Sequence, residues 1–143
     1  MALSVQLAAL QDMLRTETCR AVFIGRPDKD VQGLYLWPWK LDVQANLSNI
    51  PPVRQREFLR TKKPERLLQI RFLVLPVAES EIESCDALAA ALKIITDHPI
   101  LVADKTRGQL RNEAMSSGEL TAVFAAAGLP LKLCLTCTLE IPG

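Results

Sequence analysis

The chain has 143 residues, enough for one ordinary domain and hardly two. Apolar residues make up 49% and charged residues 23%, a balance that excludes intrinsic disorder. A formal net charge of +1 excludes bulk charge as a means of holding nucleic acid or a membrane.

Leu3, Leu7, Leu10 and Leu14 fall on one stripe of a helix, with Gln6, Gln11, Asp12 and Arg15 off it, which predicts a helix at about Leu3–Arg15. Ala21–Ile24 is a short apolar strand candidate, closed by Gly25-Arg26-Pro27. Gln32–Val43 reads as a second strand. Leu34 and Leu36 face one way, and Tyr35, Trp37 and Trp39 the other. Pro38 cannot donate to a ladder, so this strand is expected to be an edge, or to end, at that point. The two strands at 20–43 suit a hairpin.

Gln44–Glu65 shows no period and carries Asn46, Pro51, Pro52 and Pro64, so it reads as one long loop. Leu67–Leu75 is expected to be a central strand. One of its faces is wholly apolar (Leu68, Ile70, Phe72, Val74), the other is mixed, and Pro76 ends it. Ser80-Glu81-Ile82-Glu83 matches a capping box. The helix it opens is expected to bury Cys85, Leu88, Ala89, Leu92 and Ile95, and Pro99 stops it.

Asp104–Ser117 is polar, with one short strand expected around Gln109–Glu113. A helix at Glu119–Ala127 has Gly128 just past its end. Pro130–Ile141 alternates, placing Leu131, Leu133, Leu135, Cys137, Leu139 and Ile141 inward, and Lys132, Cys134, Thr136, Thr138 and Glu140 outward. The expected class is α/β (α+β): a single mixed sheet of about four to five strands, flanked by helices and carrying one long loop.

Catalytic chemistry is hard to build from these residues. His98, the only histidine, precedes Pro99 at a helix end, where it can cap the last carbonyls. No dinucleotide, phosphate-loop or nucleophile-elbow motif occurs. Cys134-Leu135-Thr136-Cys137 has metal-like spacing, but on a strand its thiols point to opposite faces, so neither a metal nor a cofactor is expected. No secretory leader and no apolar run of spanning length is read, so folding in a cytosol is expected and no membrane partner is.

Two stretches suggest contact with a partner instead. Tyr35, Trp37 and Trp39 form either a core wall or an interface anchor. Arg54, Arg56, Arg60, Lys62, Lys63 and Arg66 make the long loop basic, fitting either a solvated loop or an arm for an acidic surface or nucleic acid. A module that presents the Trp37/Trp39 strand edge to a peptide is one reading of these residues.

Taken in order, the segments resemble the terminator (cap) proteins of contractile tails, found in phages and in extracellular contractile injection systems. The residues that carry the resemblance are Leu34-Tyr35-Leu36-Trp37, Leu68–Leu75, Leu88–Ile95 with His98-Pro99-Ile100-Leu101, Ser117-Gly118-Glu119-Leu120 and Leu131–Leu139. Trp37-Pro38-Trp39 and the basic loop depart from the family's pattern. The resemblance implies a non-enzymatic homo-oligomer, a hexameric ring capping the tail tube and the last sheath layer. Implied partners are tube and sheath proteins and a neck or connector protein, with passing DNA nearby in a phage. Assembly would take place in the host cytoplasm, and the protein would be part of the virion or injection particle.

Overall fold

The computed structural model describes residues 2–45 and 66–142. In chain order these form α1 (Ala2–Thr18), β1 (Val22–Ile24), β2 (Gly33–Ala45), β3 (Arg66–Val77), α2 (Glu81–Asp97), β4 (Ile100–Ala103), β5 (Thr106–Asn112), α3 (Ser117–Ala126) and β6 (Leu135–Pro142). The strands make one sheet in the order β1-β2-β3-β6-β5-β4. The class is the expected mixed α+β, with six strands in place of four or five.

β3 is central, paired with β2 on one side and β6 on the other, as its two-sided apolar pattern requires. Pro76 does not end it: the residue lies inside the strand, opposite Leu34. The first face of the sheet carries Leu34, Leu36, Ile70, Phe72, Val74, Leu139 and Ile141, all buried beneath α1 and α2. On the second face Tyr35, Trp37, Leu73 and Leu75 are buried with Phe124 of α3.

The expected β1–β2 hairpin is instead a parallel pair, Val22 opposite Leu34 and Ile24 opposite Leu36. A parallel connection normally takes a dozen or more residues. Here β1 has 3 residues, so the chain between them need only retrace about 10 Å. Tyr35 holds that return, its hydroxyl donating to the Val31 carbonyl (2.7 Å). At Gly33 (φ +153°) a Cβ would stand 2.7 Å from the Ala21 carbonyl oxygen, so the close approach of the two strands depends on glycine.

Ser80 caps α2 as the capping box requires, accepting from the Glu83 N–H (3.2 Å). His98 closes the other end, with its N–H and Nδ1 both on the Ile94 carbonyl at 3.0 and 2.9 Å. The buried stripe is rotated from the expected one. Ala87, Leu88, Ala91, Ile94 and Ile95 face the core, while Cys85, Ala89 and Leu92 are exposed. α2 carries the chain from β3 to the opposite edge of the sheet, where β4 and β5 form a hairpin. Asp104 and Lys105 both have positive φ (49° and 63°), the conformation a two-residue turn needs to follow the strand twist.

α3 is capped by Ser116, which accepts from the Glu119 N–H, and it begins at Ser117, two residues before the expected Glu119. It ends in a Schellman turn at Gly128 (φ 70°), with Gly128 N–H on Ala125 O and Leu129 N–H on Phe124 O, both 3.0 Å. The final strand is shorter than its alternation suggests. β6 begins at Leu135, and Leu131 and Leu133 are exposed rather than inward, in an unpaired stretch before it. β3 reaches Pro76 beside that stretch, and proline offers no N–H to extend the ladder.

α1 joins the two edges. Its leucine stripe packs into the first-face core. Its polar residues then reach sideways. Gln6 Nε2 donates to the carbonyls of Leu101 (3.3 Å) and Thr106 (2.8 Å) in the β4–β5 hairpin. Gln11 Nε2 and an Arg15 guanidinium N–H both donate to the Val22 carbonyl of β1, at 2.7 and 3.1 Å. β1 and β4 are opposite ends of the sheet, so it must curl around α1 for one helix to touch both. Gly108 leaves space for the Gln6 amide: a Cβ there would lie 2.6 Å from Gln6 Oε1.

Gln6→Ala removes a buried donor from two carbonyls and is expected to lower stability by about 1–3 kcal/mol. Gly108→Ala is expected to lower it by about 1–3 kcal/mol through overpacking. Because alanine at position 6 relieves the crowding at 108, the double variant should lose less than the sum of the singles. Urea unfolding of the three variants measures this, and strict additivity would show that the two residues do not meet.

Candidate partner-binding surface

β1 stops opposite Leu36, while β2 runs on to Ala45. From Trp37 onward the outer edge of β2 has no strand partner among the described residues. Pro38 sits where that edge becomes free, so its missing N–H breaks no ladder bond, and the expected edge at this position is observed. The register with β3 shifts between Pro38 and Lys40, leaving Trp39 as a bulge residue. Beyond the bulge, Leu41 stands opposite Ile70 and Val43 opposite Leu68, on the first face. They lie at its margin, with relative exposures of 50% and 58%. A free backbone edge lined by exposed aliphatic side chains is a template for pairing with another chain.

The second face changes character along its length. At the end where β3 finishes it is apolar and covered by α3. Toward Arg66 it carries charge. Lys40, Arg71, Thr138 and Arg111 form one row across four strands, and Asp42, Gln69, Glu140 and Gln109 the next. Lys40 directly opposite Arg71 is a like-charge pair, which is unfavourable unless offset. Asp42 offsets it, lying 3.6 Å from Lys40 Nζ and 3.5 Å from Arg71 Nε. Glu140 likewise takes Arg111 and the Gln69 amide.

Tyr35 and Trp37 are buried in the second-face core, Trp37 edge-on to Phe124 at 5.9 Å and Tyr35 beside Phe23 at 5.2 Å. Trp39 is part-exposed at the rim of that core, and its Nε1 finds no hydrogen-bond partner among the described residues. Arg54, Arg56, Arg60, Lys62 and Lys63 lie outside the described residues. Arg66 opens β3 opposite Ala45.

The β4–β5 hairpin, with Ile100 and Val102 exposed, is a surface the sequence reading did not isolate. The Ile100–Ala103 run directly after Pro99 was its available signal. Cys137 packs in the first-face core and Cys134 against the second, so the two thiols lie on opposite sides of the sheet. Burial pushes the Cys137 thiol up to about 12. Among the described residues, no group of three or more His, Cys, Asp or Glu side chains could hold a metal ion, and no helix is long and apolar enough to cross a membrane.

No protein-family model and no curated protein sequence matches the chain. Solved structures do. One is the PVC sheath/tube terminator of an extracellular contractile injection system in its extended state (TM-score 0.62, 12% identity, 95% of this chain and 54% of that one). Another is the tube-terminating cap of the anti-feeding prophage (TM-score 0.63, 12% identity, 95% of this chain and 52% of that one). The chain has the fold of these terminator and cap proteins and spans about half their length.

Trp37→Ala should cost about 3–5 kcal/mol, as for a buried aromatic, while Trp39→Ala should cost clearly less. Denaturant midpoints of the two variants test this ranking. The folded Cys137 thiol titrates near 12, against a reference of 9.0. Its contribution to stability is therefore full below pH 9 and is lost as the pH rises from 9 toward 12. Replacing Cys137 with alanine should flatten the stability–pH curve in that window, apart from the loss of packing.

Proposed function

We propose that the chain is a structural terminator subunit of a contractile tail. It assembles as a homo-oligomeric ring, a hexamer, that caps the tube and the last sheath layer and stops tail growth. The observation that carries this reading is the fold likeness across 95% of the chain to a sheath/tube terminator and to a tube-terminating cap. The role requires surfaces rather than catalysis. Ring closure needs heterologous subunit contacts. Docking on the tail needs one surface for the tube and another for the sheath.

The free β2 edge at Trp37–Ala45, with Trp39 at its rim and Leu41 and Val43 beside it, suits strand pairing with an arm of a sheath subunit. Tyr35 and Trp37 support that edge from within. Arg54, Arg56, Arg60, Lys62, Lys63 and Arg66 supply positive charge for the ring lining or for a neighbouring subunit. In a phage the same charge would face passing DNA phosphates. Tube, sheath and a neck or connector protein are the partners. The subunit is made in the host cytoplasm and becomes part of the virion or injection particle.

Micrographs of particles made with and without the gene test this reading. Its deletion should give tails of irregular length, and its return on a plasmid should restore uniform ones. Light scattering after size exclusion should give a multiple of the subunit mass. A strict monomer absent from assembled tails would overturn the reading.

A further inference from the structure

α2 has a second apolar stripe. Opposite the residues it buries, it turns Ile82, Cys85, Ala89 and Leu92 to solvent at i, i+3, i+7 and i+10. Ile82 is 75% exposed. A helix apolar on opposite sides is normally covered on both. Helical spacing places Glu83, Asp86 and Asp97 along one flank of this outer stripe, with Lys93 on that same flank.

Another uncovered apolar pair, Ile100 and Val102, lies on the opposite face of the sheet. Leu101 of β4 points into the first-face core, so Ile100 and Val102 point out of the second face, Val102 being 63% exposed. Arg107 stands directly across from Val102, while Arg111 lies four residues further along β5 on the same face and is paired with Glu140. Asp104 and Lys105 at the hairpin tip contribute opposite charges close by. One surface is thus an apolar stripe with an acidic flank, and the other an apolar pair with Arg107 directly beside it.

From this match we infer that the outer stripe of α2 in one copy seats on the Ile100/Val102 face of the next copy, with Glu83 and Asp86 toward Arg107. The inference rests on the ring reading and names its subunit contact. The occupant is a second copy because both halves of the match are on this chain. α2 covers the first face of the sheet, whereas Ile100 and Val102 look out of the second. Each subunit therefore offers one half to each neighbour. Such a contact is heterologous and can close a ring, whereas a two-fold contact would stop at a dimer.

Two single variants test it: Ala89→Glu places a carboxylate in the middle of the stripe, and Val102→Glu places one beside Arg107 of its own hairpin. Both positions are exposed, so circular dichroism and the unfolding midpoint should stay close to those of the parent chain. Each variant alone should lose assembly and elute as a monomer. Mixed in equal amounts they retain one intact pair of halves, the Val102→Glu stripe on the Ala89→Glu hairpin face. Light scattering should then show a one-to-one dimer and nothing larger. Variants that still form the parent assembly would overturn this contact while leaving the ring standing. A mixture that stays monomeric would overturn it too. A parent chain that is itself monomeric at every concentration would overturn both this contact and the ring.

Discussion

One helix tied to both edges of the sheet sets the shape of this molecule. α1 holds the β4–β5 hairpin through Gln6 and the outer carbonyl of β1 through Gln11 and Arg15. Those strands are the two ends of a six-stranded sheet, so the bonds exist only if the sheet curls. The leucine stripe of α1 supplies the apolar driving force for that curl, and the amides fix where each edge stops. Unpaired strand edges invite aggregation, and side-chain donors on β1 are one way to blunt them. The glycine at 108 belongs to the same device, because the Gln6 amide occupies the space a side chain would need.

With the first face used up by α1 and α2, the remaining surfaces divide along the second. α3 is short and covers only the end where β3 finishes, over Tyr35, Trp37, Leu73 and Leu75. The rest of that face must meet water or a partner, and its alternating charged rows suit either. β2 outruns its edge neighbour for a similar reason. β1 has three residues and β2 has thirteen, so most of the outer edge of β2 has no strand to pair with among the described residues. Surfaces for contact therefore lie at the sheet's margins and on the back of α2, while the middle of the first face is scaffold.

At α2 the expected stripe mixed residues from two sides of the helix. Its apolar residues occupy two sides, and Leu88 and Ile95 belong to one while Cys85, Ala89 and Leu92 belong to the other. Periodicity detects an apolar helix but cannot rank two stripes without knowing where the sheet lies. A related limit applied at the C-terminus. Alternation from Leu131 onward is continuous, yet Leu131 and Leu133 are exposed, because a strand needs a partner with free donors and β3 offers proline there. The aromatic stretch was legible as one face of a strand. The bulge at Trp39 and the depth of Trp37 were not, since both depend on what packs alongside.

The sequence by itself determined the local elements: the leucine stripe of α1, the two-faced apolar β3, the Ser80 cap and Pro99 stop of α2, and the Gly128 turn. These rest on neighbouring residues and on backbone chemistry, which are written in order along the chain. It also carried the terminator-like arrangement, because the order of elements survives where residue identity does not. Tertiary structure alone decided that β1 runs parallel to β2, which face of α2 is buried, where β4 joins the sheet and which edge is unpaired among the described residues. Each of those depends on contacts between residues far apart in the chain, such as Gln6 with Leu101, and no local pattern encodes such a pairing.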